Sequence, residues 1–224
     1  LDAEVVVHWE LDERVWRVDT HPILNSGHNG RVWLFQDVTA SIRLERMLRR
    51  DASHDALTGL FNRRAFFDQA QAHYQAQSTA RALSPDGDAA QQLALLLFDI
   101  DHFKQINDSL GHPVGDRVIQ EVARRAQAQL RDGDVLARYG GEEFIVLLCG
   151  SNQAIARAVA ERLRVAMAEQ PVQIDGGAVS VRISVGLALR LDAEETLART
   201  IERADRNLYR AKREGRNRVV DAPL

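Results

Sequence analysis

A nearly continuous apolar run from Leu93 to Ile100 limits what this chain can fold into more than any other segment, because such a run is typical of a β-strand buried on both faces. The run ends in Phe98-Asp99-Ile100-Asp101, which places carboxylates at the end of a central strand. A carboxylate is costly to bury unless it binds a partner or a ligand. The sequence therefore predicts a buried strand whose terminal carboxylates belong to a binding site.

Gly140-Gly141-Glu142-Glu143 separates two further apolar runs and predicts a β-hairpin, because tight hairpin turns need backbone angles that glycine adopts at little cost. Adjacent carboxylates repel each other, and a cation would relieve this repulsion. Oxygen ligands from Asp99 and Glu142 suit Mg²⁺ beside a phosphate chain, which favours a two-metal phosphoryl or nucleotidyl transfer site. A solvated acidic hairpin tip is the alternative interpretation of a lone Gly-Gly-Glu-Glu sequence.

Five blocks of the sequence resemble, in order and spacing, the motifs of GGDEF-family diguanylate cyclases. The blocks are Asp55–Arg64, Phe98–Asp108, Gly111–Asp116, Arg138–Phe144 and Ala211–Asn217. Glu142 stands at the third position of the signature, a variant that also occurs in active members of the family. The resemblance covers about residues 51 to 222, and several independent blocks make it far more specific than one short motif.

The strand-like and helix-like segments follow the order βαββαβ with extensions, which predicts an α+β fold with an antiparallel central sheet and helices on one side. This agrees with the ferredoxin-like, palm-type catalytic domain that the resemblance implies for residues 55–224. We expect one hairpin to join residues 172–174 to residues 179–185. The residues predicted to face inward from three helices are Val118, Ile119, Val122, Ala126, Leu130, Ile155, Val159, Leu163, Ala166, Leu197, Ile201, Ala204 and Leu208.

Residues 1–38 are rich in β-branched and aromatic residues and predict β structure. Their end, Gly30–Thr39, resembles the last strands of a PAS sensor domain, which implies only the C-terminal half of such a domain and no cofactor in it. A self-standing three-stranded dimerisation sheet is the alternative. Residues 39–54 predict a linker helix, capped by Thr39 or Ser41. Its apolar stripe favours a parallel two-helix coiled coil that carries a signal, and an ordinary exposed linker helix is the alternative.

The resemblance implies a reaction in which two GTP molecules become cyclic di-GMP and two pyrophosphates are released. Each 3′-hydroxyl attacks the α-phosphate of the other GTP, so two half-sites face each other in a homodimer. The linker helix and the N-terminal segment would hold this dimer together. A catalytically silent module that binds GTP or cyclic di-GMP is the alternative, and a nucleotide-polymerising enzyme or an ATP cyclase is less favoured.

The resemblance also implies the roles of the site residues. Asp99, Glu142 and the Ile100 carbonyl would hold two Mg²⁺ per active site, with Mn²⁺ as an alternative metal, and Glu143 would complete the metal site or help to deprotonate the hydroxyl. Asn107 and Asp116 match the positions that bind guanine. The other implied GTP contacts are the phosphate-binding Lys104, Lys212 and Arg216, the backbone of His102 and Phe103, and Gly140 and Gly141.

An Arg-x-x-Asp sequence, Arg131 to Asp134, precedes the signature at the spacing of the family's product-inhibition site, and Arg162 matches a further arginine of that site. The planar guanidinium of arginine suits phosphates and guanine edges. The resemblance therefore implies that cyclic di-GMP binds here and lowers turnover. The alternative is an Asp-Gly turn between a helix and a strand.

Composition excludes other classes of protein. The net charge of −3 provides no overall field that attracts nucleic acid. Cys149 is the only cysteine, so a disulfide within the chain is impossible and a reducing compartment is favoured. No apolar stretch approaches membrane-spanning length, and no signal peptide is recognisable. We expect a cytoplasmic protein, although its parent could be attached to a membrane through sequence upstream of Leu1.

Overall fold

A computed structural model describes residues 5–25, 28–83 and 92–221 of the chain. The chain divides into two compact units, Leu1–Ala52 and Ser53–Leu224. Among the described residues, none of the helices combines the length and the apolar character that a membrane span requires. The segment Ser84-Pro85-Asp86-Gly87-Asp88, whose turn-forming residues predict a surface loop, lies outside the described residues.

The first unit is an antiparallel three-stranded sheet followed by a helix, as the β-rich sequence predicts. Its elements are β1 (Val5–Leu11), β2 (Arg14–Asn25), β3 (His28–Asp37) and α1 (Thr39–Ser53). Asp12 and Glu13 join β1 to β2 with positive φ angles of 48° and 63°, the pattern of a type I′ turn. The PAS resemblance of this unit stays a prediction.

The predicted linker helix is present, but its N-terminal contact differs from the expected cap. The Asp37 carboxylate accepts the N–H of Thr39 at 3.0 Å, while the Thr39 hydroxyl accepts the N–H of Val15 at 2.8 Å. The Thr39 hydroxyl therefore connects the start of the helix to strand β2, and the Asp37 carboxylate accepts the backbone N–H of Thr39 in its place. Hydrogen bonds from the hydroxyl and from the N–H of Thr39 lower the pKa of Asp37, because they stabilise its charged form.

The second unit is built around a five-stranded sheet in the order β10-β9-β4-β6-β5. The strands of this unit are β4 (Ala94–Ile100), β5 (Val135–Arg138), β6 (Glu143–Leu148), β7 (Val172–Ile174), β8 (Gly177–Val179), β9 (Ile183–Leu189) and β10 (Val219–Val220). Its helices are α2 (Arg63–Leu83), α3 (Phe103–Leu110), α4 (His112–Ala128), α5 (Gln153–Glu169) and α6 (Leu197–Arg213).

The sheet is mixed rather than antiparallel throughout. Strand β4 pairs antiparallel with β6 and β9, and β5 pairs antiparallel with β6. The short edge strand β10 runs parallel to β9, because the chain returns along helix α6 before it pairs again. A parallel pair needs such a crossover of a dozen residues or more.

Helices cover both faces of this sheet, so the prediction of helices on one side is wrong. Leu96 and Phe98 pack in a core with residues of α4 and α5, whereas Leu95 and Leu97 pack in a second core with residues of α2 and α6. All seven residues of β4 are buried. The doubly buried strand that the sequence predicts therefore requires a helical layer on each side.

Two details of the predicted packing also differ. Ile155 is 45% exposed, because the buried stripe of α5 runs through Ala156, Val159, Ala160, Leu163 and Met167 and leaves Ile155 beside it. Leu130, Ala166 and Ile201 are half-buried, and the other predicted inward residues are buried. Strand β7 pairs with β8 across Asp175-Gly176, so residues 183–189 form a separate strand of the central sheet instead of extending that hairpin.

Candidate active site

The three predicted acidic residues meet where strand β4 ends. Asp99 lies opposite Glu143 in the β4–β6 ladder, and the N–H of Ile100 donates to the carbonyl of Glu142 at 3.3 Å. Lys212, in the last turn of α6, places its Nζ 2.7 Å from Asp99 Oδ2. The fold therefore brings three carboxylates and one ammonium group to the same end of the central strand.

The electrostatics of this cluster favour a bound cation. Burial raises the pKa of Asp99 to about 6; the bond and charge of Lys212 oppose this effect, and the charges of Glu142 and Glu143 add to it. Within the described ranges, no three His, Cys, Asp or Glu side chains form a metal cluster by themselves. The donor set predicted from the sequence consists of the Asp99 and Glu142 carboxylates and the Ile100 carbonyl. These are oxygen ligands of the kind that Mg²⁺ accepts when phosphates and water complete its coordination shell.

The signature glycines form the predicted hairpin, but for a different reason than expected. Neither glycine has a positive φ angle. The N–H groups of Tyr139 and Gly140 donate to the Glu143 carbonyl at 2.8 and 3.2 Å, and a Cβ on Gly140 would lie 2.8 Å from Glu143 Oε2. Gly140 therefore allows the Glu143 carboxylate to lie close to the hairpin backbone, and a Cβ there would require that carboxylate to move, whereas Gly141 has open space around it.

Arg138 fastens this hairpin to the start of the second unit, a contact that the sequence reasoning missed. Its guanidinium donates to the Gly141 carbonyl at 2.8 Å and to both oxygens of Asp55 at 3.1 and 3.2 Å. Asp55 also accepts the N–H and the hydroxyl of Thr58 at 2.9 and 2.8 Å. Burial raises the pKa of Asp55, but the bonds from Thr58 and Arg138 outweigh it and lower that pKa overall. Both residues lie in the motif blocks, but 83 positions separate them.

The two predicted guanine-binding residues lie at the corner between α3 and α4. Asn107 Oδ1 is buried and has no hydrogen-bond partner. A Cβ on Gly115 would lie only 1.9 Å from that oxygen, so Gly115 makes room for the Asn107 amide. Asp116 follows Gly115 directly and is exposed. An unpartnered buried acceptor beside an exposed carboxylate is suited to a ligand that donates hydrogen bonds.

The predicted phosphate contacts lie around the same end of the sheet. His102 begins α3 with a φ of 60°, so that the chain turns sharply into Phe103 and the exposed Lys104. Lys212 is engaged with Asp99, and Arg216 is exposed in the turn after α6, with a φ of 62°. The structure thus brings Lys212 into the carboxylate cluster and leaves Lys104 and Arg216 open to solvent.

The Arg-x-x-Asp segment forms a turn between α4 and β5. The side chain of Asp134 is buried and accepts the N–H of Cys149 at 3.2 Å, and Arg131 Nε lies 3.5 Å from Asp134 Oδ1. Arg131 also donates to the Cys149 carbonyl, although 57% of its side chain stays exposed. Arg162 donates to the carbonyl of Gln129. The turn interpretation is confirmed, and it leaves two exposed guanidinium groups close to α4.

Comparison with known proteins agrees with this arrangement. The family model described as "Diguanylate cyclase, GGDEF domain" matches residues 52–218. Diguanylate cyclase DgcM of Escherichia coli K12 is 37% identical over 218 residues, 96% of this chain and 50% of that protein, so the chain spans about half the length of this relative.

Two solved structures share the fold. The coiled coil and GGDEF domain of DgcB from Caulobacter crescentus, in complex with c-di-GMP, has a TM-score of 0.71 and 31% identity, covering 82% of this chain and 95% of that chain. The active GGEEF domain of a Vibrio cholerae diguanylate cyclase has a TM-score of 0.64 and 31% identity, covering 73% of this chain and 97% of that chain. With its second unit matched almost from end to end, this chain belongs to the GGDEF-domain family of diguanylate cyclases.

Proposed function

We propose that this chain condenses two GTP molecules into cyclic di-GMP and releases two pyrophosphates. The observation that carries the proposal is the convergence of Asp99, Glu142 and Glu143 beside the Lys212 ammonium, inside a family match that spans residues 52–218. In each half-reaction a bond forms between a 3′-oxygen and an α-phosphorus, the α–β anhydride bond breaks, and the hydroxyl proton is released.

Cyclases of this family generally use Mg²⁺, and the donor set at the end of β4 fits that ion. Asp99, Glu142 and the carbonyl of Ile100 would hold two Mg²⁺, with Mn²⁺ as an alternative. Bound Mg²⁺ would make the 3′-hydroxyl more acidic and offset the charge of the phosphates. Lys212, paired with Asp99, would hold that carboxylate in place, and Glu143, whose carboxylate lies close to Gly140, would complete the metal site or accept the hydroxyl proton.

The remaining residues would bind and orient GTP. Asn107 offers an unpartnered oxygen to the guanine N–H groups, and Asp116 would accept from the same edge. Lys104, Lys212 and Arg216 would contact the phosphates, with backbone N–H groups near His102 and Phe103 adding donors. Catalysis would consist mainly of holding two substrates in line and stabilising charge.

One GTP per subunit cannot cyclise alone, so the function requires two facing half-sites. We propose a homodimer that is held together by the three-stranded sheet and by helix α1 as a coiled coil. Residues 1–38 would act as a PAS-like segment, residues 39–54 as a signalling helix and residues 55–224 as the catalytic domain. A small change in the helix pair would then alter the distance between two catalytic domains.

Product inhibition would use Arg131, Asp134 and Arg162. Arg131 and Arg162 are exposed, while the buried carboxylate of Asp134 would stabilise the turn. Arg131→Ala should therefore lower the inhibition by added cyclic di-GMP without lowering the initial rate. Equal inhibition of the variant and the parent would contradict this role.

The deciding experiment is product analysis after incubation of the purified chain with GTP and Mg²⁺, with Glu142→Ala in parallel. Glu169→Ala is the matched control, because Glu169 is an exposed glutamate at the end of α5. Cyclic di-GMP from the parent and the Glu169 variant, but not from the Glu142 variant, supports the proposal. A folded, nucleotide-free dimer that binds GTP and forms no product would favour the silent binding module.

A further inference from the structure

The second carboxylate at the end of strand β4, Asp101, has no role in the function proposed above, yet it is buried and fully engaged. Its Oδ1 accepts the hydroxyl of Ser184 at 2.6 Å, and its Oδ2 accepts the backbone N–H of Asn217 at 2.9 Å. Its own N–H donates to the carbonyl of Arg182 at 2.9 Å. Asp101 therefore joins the central sheet to the turn that follows helix α6.

The turn that Asp101 holds has an unfavourable backbone. Gly215, Arg216 and Asn217 have φ angles of 114°, 62° and 46° in succession. Glycine adopts this region readily and asparagine tolerates it, whereas arginine rarely enters it. Such a conformation persists only where surrounding contacts enforce it.

Contacts on both sides of Arg216 provide that enforcement. The N–H of Arg216 donates to the Ala211 carbonyl at 2.9 Å, which ends helix α6 in a glycine-dependent cap. One residue later, Asp101 holds the Asn217 N–H, and Arg164 donates to Asn217 Oδ1 at 3.1 Å. The backbone of Arg216 is thus fixed between the helix end and Asp101, and this backbone sets the direction of its exposed side chain.

We infer that Asp101 is a positioning residue that presents Arg216 to the phosphates of GTP. This inference rests on the proposed function, in which Arg216 contacts those phosphates. Without the Asp101–Asn217 bond the turn can relax toward backbone angles that arginine prefers, and the exposed Arg216 side chain is then presented in a different direction. Lys212 should be unaffected, because it lies in the last turn of the helix and pairs with Asp99 directly.

Two substitutions distinguish hydrogen bonding by the Asp101 side chain from an effect of its negative charge. Asp101→Ala removes both hydrogen bonds of the carboxylate. Asp101→Asn keeps an amide oxygen for the Asn217 N–H, while its amide nitrogen can donate to the Ser184 hydroxyl oxygen. We therefore expect Asp101→Ala to weaken binding of a non-hydrolysable GTP analogue about tenfold, and Asp101→Asn to restore it to within about threefold of the parent.

The test measures the dissociation constant of that analogue, and KM and kcat for GTP, in the full chain. Asp101→Ala should raise KM more than it lowers kcat, and it should add nothing in an Arg216→Ala background. Ser184→Ala is the control, because it leaves the Asn217 bond in place, and it should retain the parent's affinity. Multiplicative effects of Asp101→Ala and Arg216→Ala, or no rescue by Asp101→Asn, would overturn the inference.

Amide hydrogen exchange tests the inference even if Asp101→Ala does not fold, because it compares only the parent and Asp101→Asn. The Asn217 amide should be protected in the parent and in Asp101→Asn, and rapid exchange in either would overturn the inference. Failure of the proposed function has a different signature. In that case Arg216→Ala would leave the affinity for the GTP analogue unchanged, although Asn217 would stay protected.

Discussion

Replacing Gly115 by alanine would test whether the corner between α3 and α4 is shaped around Asn107. The added Cβ would lie 1.9 Å from Asn107 Oδ1, 3.0 Å from its Cγ and 3.1 Å from Phe103 Cζ, so the Asn107 side chain has to move. Alanine stabilises a helix by about 1 kcal/mol relative to glycine, whereas overpacking costs about 1–3 kcal/mol. We expect the free energy of unfolding to fall by about 0–2 kcal/mol.

The larger effect should be on binding, because the displaced amide can no longer meet guanine. The loss of such a contact corresponds to a dissociation constant for a non-hydrolysable GTP analogue that is about tenfold higher. Denaturant unfolding and analogue titration would measure the two effects separately. The reasoning is refuted if Gly115→Ala unfolds at the parent's denaturant concentration and binds the analogue with the parent's affinity.

Two further variants complete this test. Gly177→Ala is the matched control, because a Cβ there meets no atom within 4 Å and the residue lies in strand β8, outside the candidate site. It should change neither quantity. Adding Asn107→Ala to Gly115→Ala removes the closest contact, so the double variant should recover stability but not affinity.

Two other predictions follow from polar contacts of the second unit. Arg138→Ala should lower the free energy of unfolding by about 1–3 kcal/mol and slow cyclic di-GMP formation, because it removes the hydrogen bonds to Gly141 and Asp55 together. The control is Arg206→Ala, which removes an exposed ion pair with Glu202 at 3.8 Å. This control should lower the free energy of unfolding by less than about 0.5 kcal/mol. Burial raises the pKa of Cys149 to about 11, so alkylation at pH 8 should be about a hundredfold slower in the folded than in the unfolded chain, and equal rates would contradict this.

The sequence predicts the parts of this fold that depend on local pattern. The apolar run at residues 93–100 forms strand β4, and the segment with the heptad-like apolar stripe after Thr39 forms helix α1. The meeting of Asp99 with Glu142 and Glu143 was also predictable, because a strand end and a hairpin turn were each recognisable. These features follow from the periodicity of apolar residues and from turn-forming residues, both of which are defined by residues close together in the sequence.

Features that depend on distant contacts were not predictable in this way. Packing decides on which side of the sheet α2 and α6 lie. The apolar pattern of β4, which predicts burial on both faces, indicates a second helical layer but does not say which helices form it. The bonds of Arg138 to Asp55 and of Asp101 to Asn217 join residues 83 and 116 positions apart. The Gly140-Gly141 pair predicts the hairpin, but the proximity of Gly140 to the Glu143 carboxylate depends on the folded hairpin.

The attachment of Arg138 to Asp55 sets a lower limit on where a shortened form of this protein can begin. Asp55 lies only two residues into the second unit, and the carbonyl of Ser53 accepts the N–H of Asn62 at 2.9 Å to close the same turn. A truncation that starts at Leu60 would retain every strand of the central sheet but lose the anchor of the acidic hairpin. Expression of an isolated catalytic domain should therefore start upstream of Ser53, even though the regular secondary structure resumes only at Arg63.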